Sequence, residues 1–516
     1  MSELPTLKPG QTADIGLLLE GTYPYVSGGV SSWMHQIVTN LKELTFALIF
    51  IGGSRESYGA PKFQLPPNVV HVERHYLADV LEEGKPSPRA GNAAAFEDSA
   101  RLHQHLRDPS HGALPAELLG RVSRALGEPG AISREDFLNS ERSWEYIRGE
   151  YTRAYPEGSF LDYFWSVRLM HAPLFKLAEV ARTAPPARVF HSISTGYAGF
   201  LGALLHHRRK VPFILTEHGI YTKERKIDLT HAAWIKDKEP SGAEGVGYLR
   251  GLWIRFFEGL GRMTYSAADP IVSLYEGNRQ RQIQDGAEAS RTQVIPNGIA
   301  LGRFTPLRAQ RPEGVPKVLG LLGRVVPIKD IRTFVRAMRT VCDRLPEAEG
   351  WVIGPEDEDA AYARECHELV NRLGLGERVK FLGFQKPDAI LPKLGLLMLT
   401  SISEALPLVL LEGFASGLPA VATDVGSCRD IIEGNGPEDR AFGKAGRVVQ
   451  IADPTATAHA ALELLTDEAK WKAAQQAGIQ RVERFYVDQL MFDSYRAIYR
   501  GALGEGGDGG NRVRAP

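Results

Sequence analysis

Cysteine is scarce in this chain of 516 residues: only Cys342, Cys366 and Cys428, far apart from one another. That scarcity excludes a disulfide framework and the paired spacing of a structural zinc site. It fits a reducing compartment. Long apolar runs are missing as well. The most apolar stretches, such as LGLLMLTS at 394–401, fall well short of the about 20 residues that a membrane span needs. Neither sign of charge dominates, since 61 Lys and Arg face 62 Asp and Glu for a formal net charge of -1. A nucleic-acid binder usually shows a strongly basic balance, so none is expected as a partner, although a local basic cleft is compatible with these totals. The opening MSELPTLKPGQTAD lacks the basic-then-apolar order of a signal peptide. A cytoplasmic protein is therefore expected. Peripheral association with an inner-membrane complex through partners would leave no such trace.

What is present is ordinary for a globular α/β protein: 43% hydrophobic and 24% charged residues, in a chain long enough for two or more domains. Strand-like runs alternate with helical patterns, which predicts parallel sheets built from βαβ units. DIGLLLEG, FALIFIGG, RVFHSI, VPFILTEHG and PIVSLYEG read as strands in the first half. After the first of them, Val30, Trp33, Met34, Ile37, Val38 and Leu41 form one apolar stripe at helical spacing. Residues 82–157 are richer in charge, Pro and Gly and read as a mainly helical insertion. TPLRAQRPEGVPK, at 305–317, is polar, carries three prolines and reads as a linker. A second alternating series follows it. The expected division is a Rossmann-like domain at 1–304, a second at 305–484, a C-terminal helix at 485–503 crossing back to the first domain, and a mobile Gly-rich tail at 504–516. Two such halves would face one another across a cleft at the C-terminal ends of their strands.

Five stretches carry side chains suited to chemistry. In YPYVSGGVSSW, Gly28 and Gly29 stand at the start of a helix. Helix N-termini attract anions, yet a tight strand-to-helix turn explains the glycines equally well. In GRVVPIKD, Arg324 follows a strand and Lys329 precedes a helix that Asp330 can cap. A guanidinium fork with an ammonium suits a diphosphate, and two solvated surface cations are the plain alternative. In SEALPLVLLEGFASGLP, Glu404 lies in an entry loop and Glu412 on an apolar helix. An unpaired carboxylate in such a helix is costly to bury. TEHGIYTKERKID gathers Glu217, His218, Tyr221, Glu224 and Arg225 after a strand, in a place where binding residues concentrate but where a lone His is usually structural. IPNGI reads as a strand entering a turn at Asn297-Gly298. PEDED at 355–359 resembles a metal site, but acids favour a helix N-terminus in any case, and no metal is expected. No GxSxG elbow is present for a hydrolase triad.

Taken together, GRVVPIKD and EALPLVLLE resemble the retaining GT-B glycosyltransferases of family 4. The N-terminal runs EGTYPYVSGGVSSWMHQ and TEHGIYTKERKID are similar to the cytosolic glycosyltransferases of Pel exopolysaccharide biosynthesis. The resemblance implies an α/β GT-B fold of two Rossmann-like domains. It implies transfer from a UDP-hexose or UDP-N-acetylhexosamine to a growing polysaccharide, with retention and without a metal or other cofactor. It implies that Arg324 and Lys329 hold the donor diphosphate, that Glu412 binds the ribose, and that Glu404 lies beside the donor sugar. It further implies that the backbone around Phe384 meets the base, that Gly28 and Gly29 face the phosphates, and that His218 stands near the sugar. An inner-membrane synthase complex is an implied partner. Two departures stand out: Tyr25 occupies the place of a phosphate-binding Lys in related synthases, and Ala300 replaces an acid after Asn297-Gly298. Two other activities fit the same residues: transfer to a lipid or glycogen-like acceptor, and a nucleotide-sugar-binding scaffold without turnover.

Overall fold

The computed structural model of the chain describes residues 4–78, 88–107, 114–232, 234–235 and 247–505. Residues 82–87 and 108–113 of the helical insertion, and all of the tail beyond Glu505, lie outside the described residues. Two compact units are present. Of the described residues, the first takes in those up to Ser273, Arg279–Val294 and 495–505; the second comprises Leu274–Asn278 and Ile295–Ser494.

Among the described residues, the first unit holds seven parallel strands: β1 (Ala13–Glu20), β2 (Phe46–Gly52), β3 (Val69–Tyr76), β4 (Ala187–Ser192), β5 (Phe213–Glu217), β6 (Ile271–Ser273) and β7 (Thr292–Val294). Their order across the sheet is β3-β2-β1-β4-β5-β6-β7. Every residue of β2 is buried, as expected of a parallel strand covered on both faces. The helix Gly29–Asn40 buries Trp33, Met34, Ile37 and Val38, four members of the predicted stripe. Between β3 and β4 come the helices Ala93–Arg107, Ala116–Ala125, Arg134–Asn139 and Glu141–Ala154, so the described part of the insertion is helical. The long helix Phe160–Thr183 then returns the chain, burying Met170, Leu174, Leu177 and Ala178.

The second unit holds six described parallel strands: β8 (Val318–Leu322), β9 (Glu349–Ile353), β10 (Val379–Phe381), β11 (Leu396–Leu399), β12 (Ala420–Thr423) and β13 (Gly446–Val449). Their order is β10-β9-β8-β11-β12-β13. The strand order reverses between β8 and β11. Such a reversal, at the C-terminal ends of the strands, is where open α/β sheets bind ligands.

Three readings of the sequence need correction. The division falls at Val294–Ile295 rather than at 304/305, because Ile299, Phe304 and Leu307 are buried in the apolar core of the second unit. The stretch read as a linker is packed: Thr305–Gln310 is a short 3-10 helix, Arg308 Nε donates to the Ala415 carbonyl at 2.7 Å, and Arg311 Nη2 donates to that of Leu394 at 2.7 Å. A polar, Pro-containing composition signals irregular backbone, not freedom from the core. Asn297-Gly298 is not a turn but irregular backbone beyond β7, held by packing. Ile299 N–H donates to the Tyr486 carbonyl at 2.9 Å, and a β-carbon on Gly298 would stand 2.5 Å from Asp488 backbone. The last helix, Asp488–Ala502, re-enters the first unit at Tyr495. There the Tyr499 hydroxyl lies 2.7 Å from His191 Nδ1, and the Tyr495 hydroxyl 3.0 Å from Thr216 Oγ1. Among the described residues, no helix is long and apolar enough to cross a membrane.

Candidate functional site

In the second unit, the loop after β8 carries Arg324 and Lys329, and the loop after β11 carries Glu404. The two loops are stapled together. Thr400 Oγ1 donates to the carbonyls of Lys329 and Asp330 at 3.0 Å each, and Ile402 N–H donates to the Ile328 carbonyl at 2.8 Å. Asp330, in a left-handed conformation, caps the helix Ile331–Arg344 through the Thr333 N–H. Lys329 is thereby held at the entry of that helix, and its Nζ donates to Glu404 Oε1 at 2.5 Å. Glu404 Oε1 also accepts from Ser401 Oγ at 2.6 Å. The turn after β12 closes on this loop: Ser427 N–H donates to the Ala405 carbonyl at 2.9 Å. A β-carbon on Gly426, which has φ +54°, would meet the Glu404 carbonyl oxygen at 2.3 Å. The reversal in the second sheet therefore brings an ammonium and a carboxylate into contact across 75 positions of sequence.

Arg324 is exposed, and its Nη1 lies 2.6 Å from both carboxylate oxygens of Glu358. Reading the sequence alone passes over Glu358, because an acid beside a helix N-terminus already has a sufficient local explanation. Only the tertiary contact shows its partner.

Glu412 lies on the helix Leu408–Ala415. Burial pushes its carboxyl from the ordinary 4.5 up to about 7, against the pull of Arg303 and with the push of Asp388. Removing this charge has a calculable sign. Below pH 4.5 the carboxyl is protonated in both the folded and the unfolded chain. Between 4.5 and 7 only the folded chain keeps the proton, so stability falls as pH rises through that window. At pH 8 the Glu412→Gln variant should be more stable than the wild type by about 1–3 kcal/mol, and at pH 4 equal to it. Thermal melts at the two pH values check this. Phe384, in the loop after β10, exposes 74% of its surface. That loop is tied to the loop after β9 by the Gly354 N–H, which donates to the Gly383 carbonyl at 2.9 Å.

The remaining candidates belong to the first unit. Gly28 precedes the helix Gly29–Asn40, whose N-terminus has no side-chain cap. A β-carbon on Gly28 or Gly29 would meet nothing within 4 Å, so packing does not demand either glycine. Tyr25 is buried with its ring 4.7 Å from that of Phe50. His218 packs edge-on against Trp33 at 4.5 Å, and burial lowers its pKa to about 4, leaving the imidazole neutral near pH 7. Its neighbour Glu217 is fully buried and accepts from Thr195 Oγ1, the Tyr265 hydroxyl and Gln282 Nε2 at 2.9, 2.7 and 2.9 Å. Burial raises its pKa. Glu217 thus serves the interior of the sheet, although the sequence places it in the same polar run as His218.

The comparisons with known proteins agree with this architecture. Residues 13–290 match the family described as Domain of unknown function (DUF3492), and residues 316–467 match Glycosyl transferases group 1. A D-inositol 3-phosphate glycosyltransferase of Corynebacterium urealyticum is 28% identical over 236 residues, 42% of this chain and 54% of that protein. The lipopolysaccharide core biosynthesis mannosyltransferase LpsB of Rhizobium meliloti is 28% identical over 223 residues, 41% of this chain and 61% of its own length. The chain spans about half the length of the first curated relatives it matches. Among solved structures, Anabaena HepE in complex with UDP and glucose is similar with a TM-score of 0.57 at 15% identity, covering 94% of this chain and 99% of that one. Sucrose-phosphate synthase from Thermosynechococcus elongatus reaches a TM-score of 0.57 at 16% identity, covering 96% and 100%. The fold is therefore that of GT-B glycosyltransferases, two parallel-sheet Rossmann-like units. The chain belongs to the DUF3492 family and carries in its second unit a domain of the group 1 glycosyltransferases.

Proposed function

We propose that this chain is a retaining glycosyltransferase that moves a hexosyl or N-acetylhexosaminyl unit from a UDP-sugar to a growing exopolysaccharide of the Pel type, in the manner of PelF. The observation that carries the reading is the meeting of Lys329 with Glu404 at the strand-order reversal of the second sheet, with Arg324 five residues earlier on the same loop. The UDP complexes of the HepE fold relative support the choice of nucleotide.

Breaking the bond between the anomeric carbon and the phosphate oxygen builds negative charge on the departing diphosphate. Lys329 and Arg324 are positioned to take up that charge, and fixed cations in a partly dry site stabilise it more than water does. Diphosphate binding to Lys329 relieves its pairing with Glu404, whose carboxylate is then available to the donor sugar's hydroxyls. Glu412 accepts from the ribose, and the backbone at Phe384 meets the base. Gly28, Gly29 and His218, of the first unit, keep within this proposal the roles that the resemblance implies. The acceptor hydroxyl attacks from the face the leaving group departs, giving retention, and its proton passes to a leaving phosphate oxygen. The two side-chain cations supply the charge that a metal would otherwise supply, so turnover in excess chelator should equal turnover without it. Loss of activity on chelation, restored by a divalent ion, would count against this scheme.

Calorimetric titration with UDP, GDP and ADP, followed by turnover assays on UDP-sugars, tests the proposal. UDP should bind tightest and support transfer; preference for another nucleotide would contradict it. A second reading of the acceptor is favoured by the relatives named for inositol phosphate and lipopolysaccharide core: a small or lipid-linked acceptor in place of a polymer. A panel of oligosaccharide and lipid-linked acceptors separates the two.

A further inference from the structure

The loop after β9 packs directly on the loop that bears Arg324. Val325 N–H donates to the Pro355 carbonyl at 2.9 Å, and Gly323 N–H to that of Ile353 at 2.9 Å. The approach is so close that a β-carbon on Gly354 would stand 1.9 Å from the Gly323 carbonyl oxygen, so only glycine fits there. This contact aims the acidic run 355–359 at the guanidinium. Two of its acids have structural partners: Asp359 caps the helix Ala360–Arg372 through the Tyr362 N–H at 2.9 Å, and Glu356 lies 2.7 Å from His367 Nε2. Glu358 faces Arg324, with both carboxylate oxygens 2.6 Å from Nη1. Both oxygens converge on one guanidinium nitrogen, Nη1, and so occupy a donor that a phosphate oxygen would otherwise take. Both side chains are about half exposed, at 54% and 51%, so the pair is a weak one that a multivalent anion can displace.

We propose that Glu358 is the resting counter-ion of Arg324, occupying the guanidinium edge that the donor's diphosphate takes, and so acts as a positioning residue that limits nucleotide affinity and speeds release of the nucleoside diphosphate product. This rests on the function proposed above. A diphosphate entering the site displaces Glu358 from Arg324. After transfer, Glu358 recaptures the guanidinium as the product leaves. The acidic run then has a use beyond the helix dipole: it is a built-in competitor for the ligand.

The test is a double-mutant cycle read by UDP titration of the full chain, with Glu358→Gln, Arg324→Gln and the double variant, each checked for wild-type circular dichroism. Glu358→Gln should tighten UDP binding about two- to fivefold, the size of an exposed ion pair, and slow UDP dissociation in stopped-flow by a similar factor. Arg324→Gln should weaken binding at least tenfold, and in its background Glu358→Gln should have no effect. If Glu358→Gln leaves affinity unchanged or weakens it while Arg324→Gln still weakens binding, the role of Glu358 is overturned and the diphosphate site stands. If Glu358→Gln tightens binding equally in the Arg324→Gln background, the effect is bulk charge and the pairing is overturned. If Arg324→Gln has no effect on UDP affinity, the diphosphate assignment itself fails.

Discussion

Replacing Lys329 with Ala is expected to lower turnover about 10²–10³-fold, a loss of about 3–4 kcal/mol of transition-state stabilisation, by analogy with removal of an oxyanion-hole donor. The loss should fall mainly on kcat, because the charge that Lys329 meets grows as the bond between the anomeric carbon and the phosphate oxygen breaks and is largest in the transition state. The fold should survive. Lys329 contributes its side chain to one partner, Glu404, and that carboxylate keeps the Ser401 hydroxyl at 2.6 Å. The staples between the two loops are made by backbone groups and Thr400, which the substitution leaves in place. Glu404→Gln is the informative companion, since it keeps the ammonium and removes its resting partner. Steady-state kinetics on both variants, with matched circular dichroism, decide the matter. A Lys329→Ala enzyme within threefold of the wild type would remove the residue from the chemistry.

Replacing Arg481 with Ala is expected to cost about 3–5 kcal/mol of stability, lowering Tm by roughly 6–20 °C. Arg481 is fully buried. Its Nε donates to Asp439 Oδ1 at 2.5 Å, Nη1 to the Ile432 carbonyl at 2.9 Å, and Nη2 to the carbonyls of Asp439 and Gly443 at 3.0 and 2.8 Å. The Ile432 carbonyl belongs to the helix Cys428–Glu433, so the guanidinium ties the C-terminal part of that helix to the short helix Pro437–Arg440 and to the backbone at Gly443. Truncation leaves the Asp439 carboxylate buried without its counter-charge and several carbonyls without a donor. The loss of a buried partner dominates over the loss of the attraction itself. Replacing both residues together, as Arg481→Met with Asp439→Leu, should recover much of the loss. Denaturant titration of the three variants tests this, and a single variant within 1 kcal/mol of wild type would contradict it. The same helix follows the turn at Gly426 and Ser427 that packs on the Glu404 loop, so the buried pair also steadies one wall of the candidate site.

The two sheets were legible in the sequence because most of their strands are buried on both faces and read as unbroken apolar runs. β3 was not. VVHVERHY alternates apolar with charged and imidazole side chains because β3 is the edge of its sheet. There Glu73 lies between His71 and His75, 3.6 and 3.0 Å from their Nε2 atoms. The stretch at 305–317 misled for the opposite reason, since its arginines satisfy buried carbonyls and composition alone cannot show that. In the site, Lys329 and Glu404 were each legible through local context, a cation at a helix start and a carboxylate in a helix entry loop, but their contact across 75 positions was not. The pairing of Arg324 with Glu358 spans 34 positions and depends on the close approach at Gly354, which no local pattern encodes. The raised pKa of Glu412 was equally hidden, because it comes from burial that the packing of its helix determines.

The most direct measurement is a crystal structure of the chain with UDP bound. The expected result places the diphosphate within hydrogen-bond distance of Lys329 Nζ and the Arg324 guanidinium, with Glu358 turned away and the ribose hydroxyls on Glu412. A nucleotide seated elsewhere in the second unit, with Lys329 still bound to Glu404 and Arg324 still bound to Glu358, would contradict the proposal that these two cations grip the leaving group.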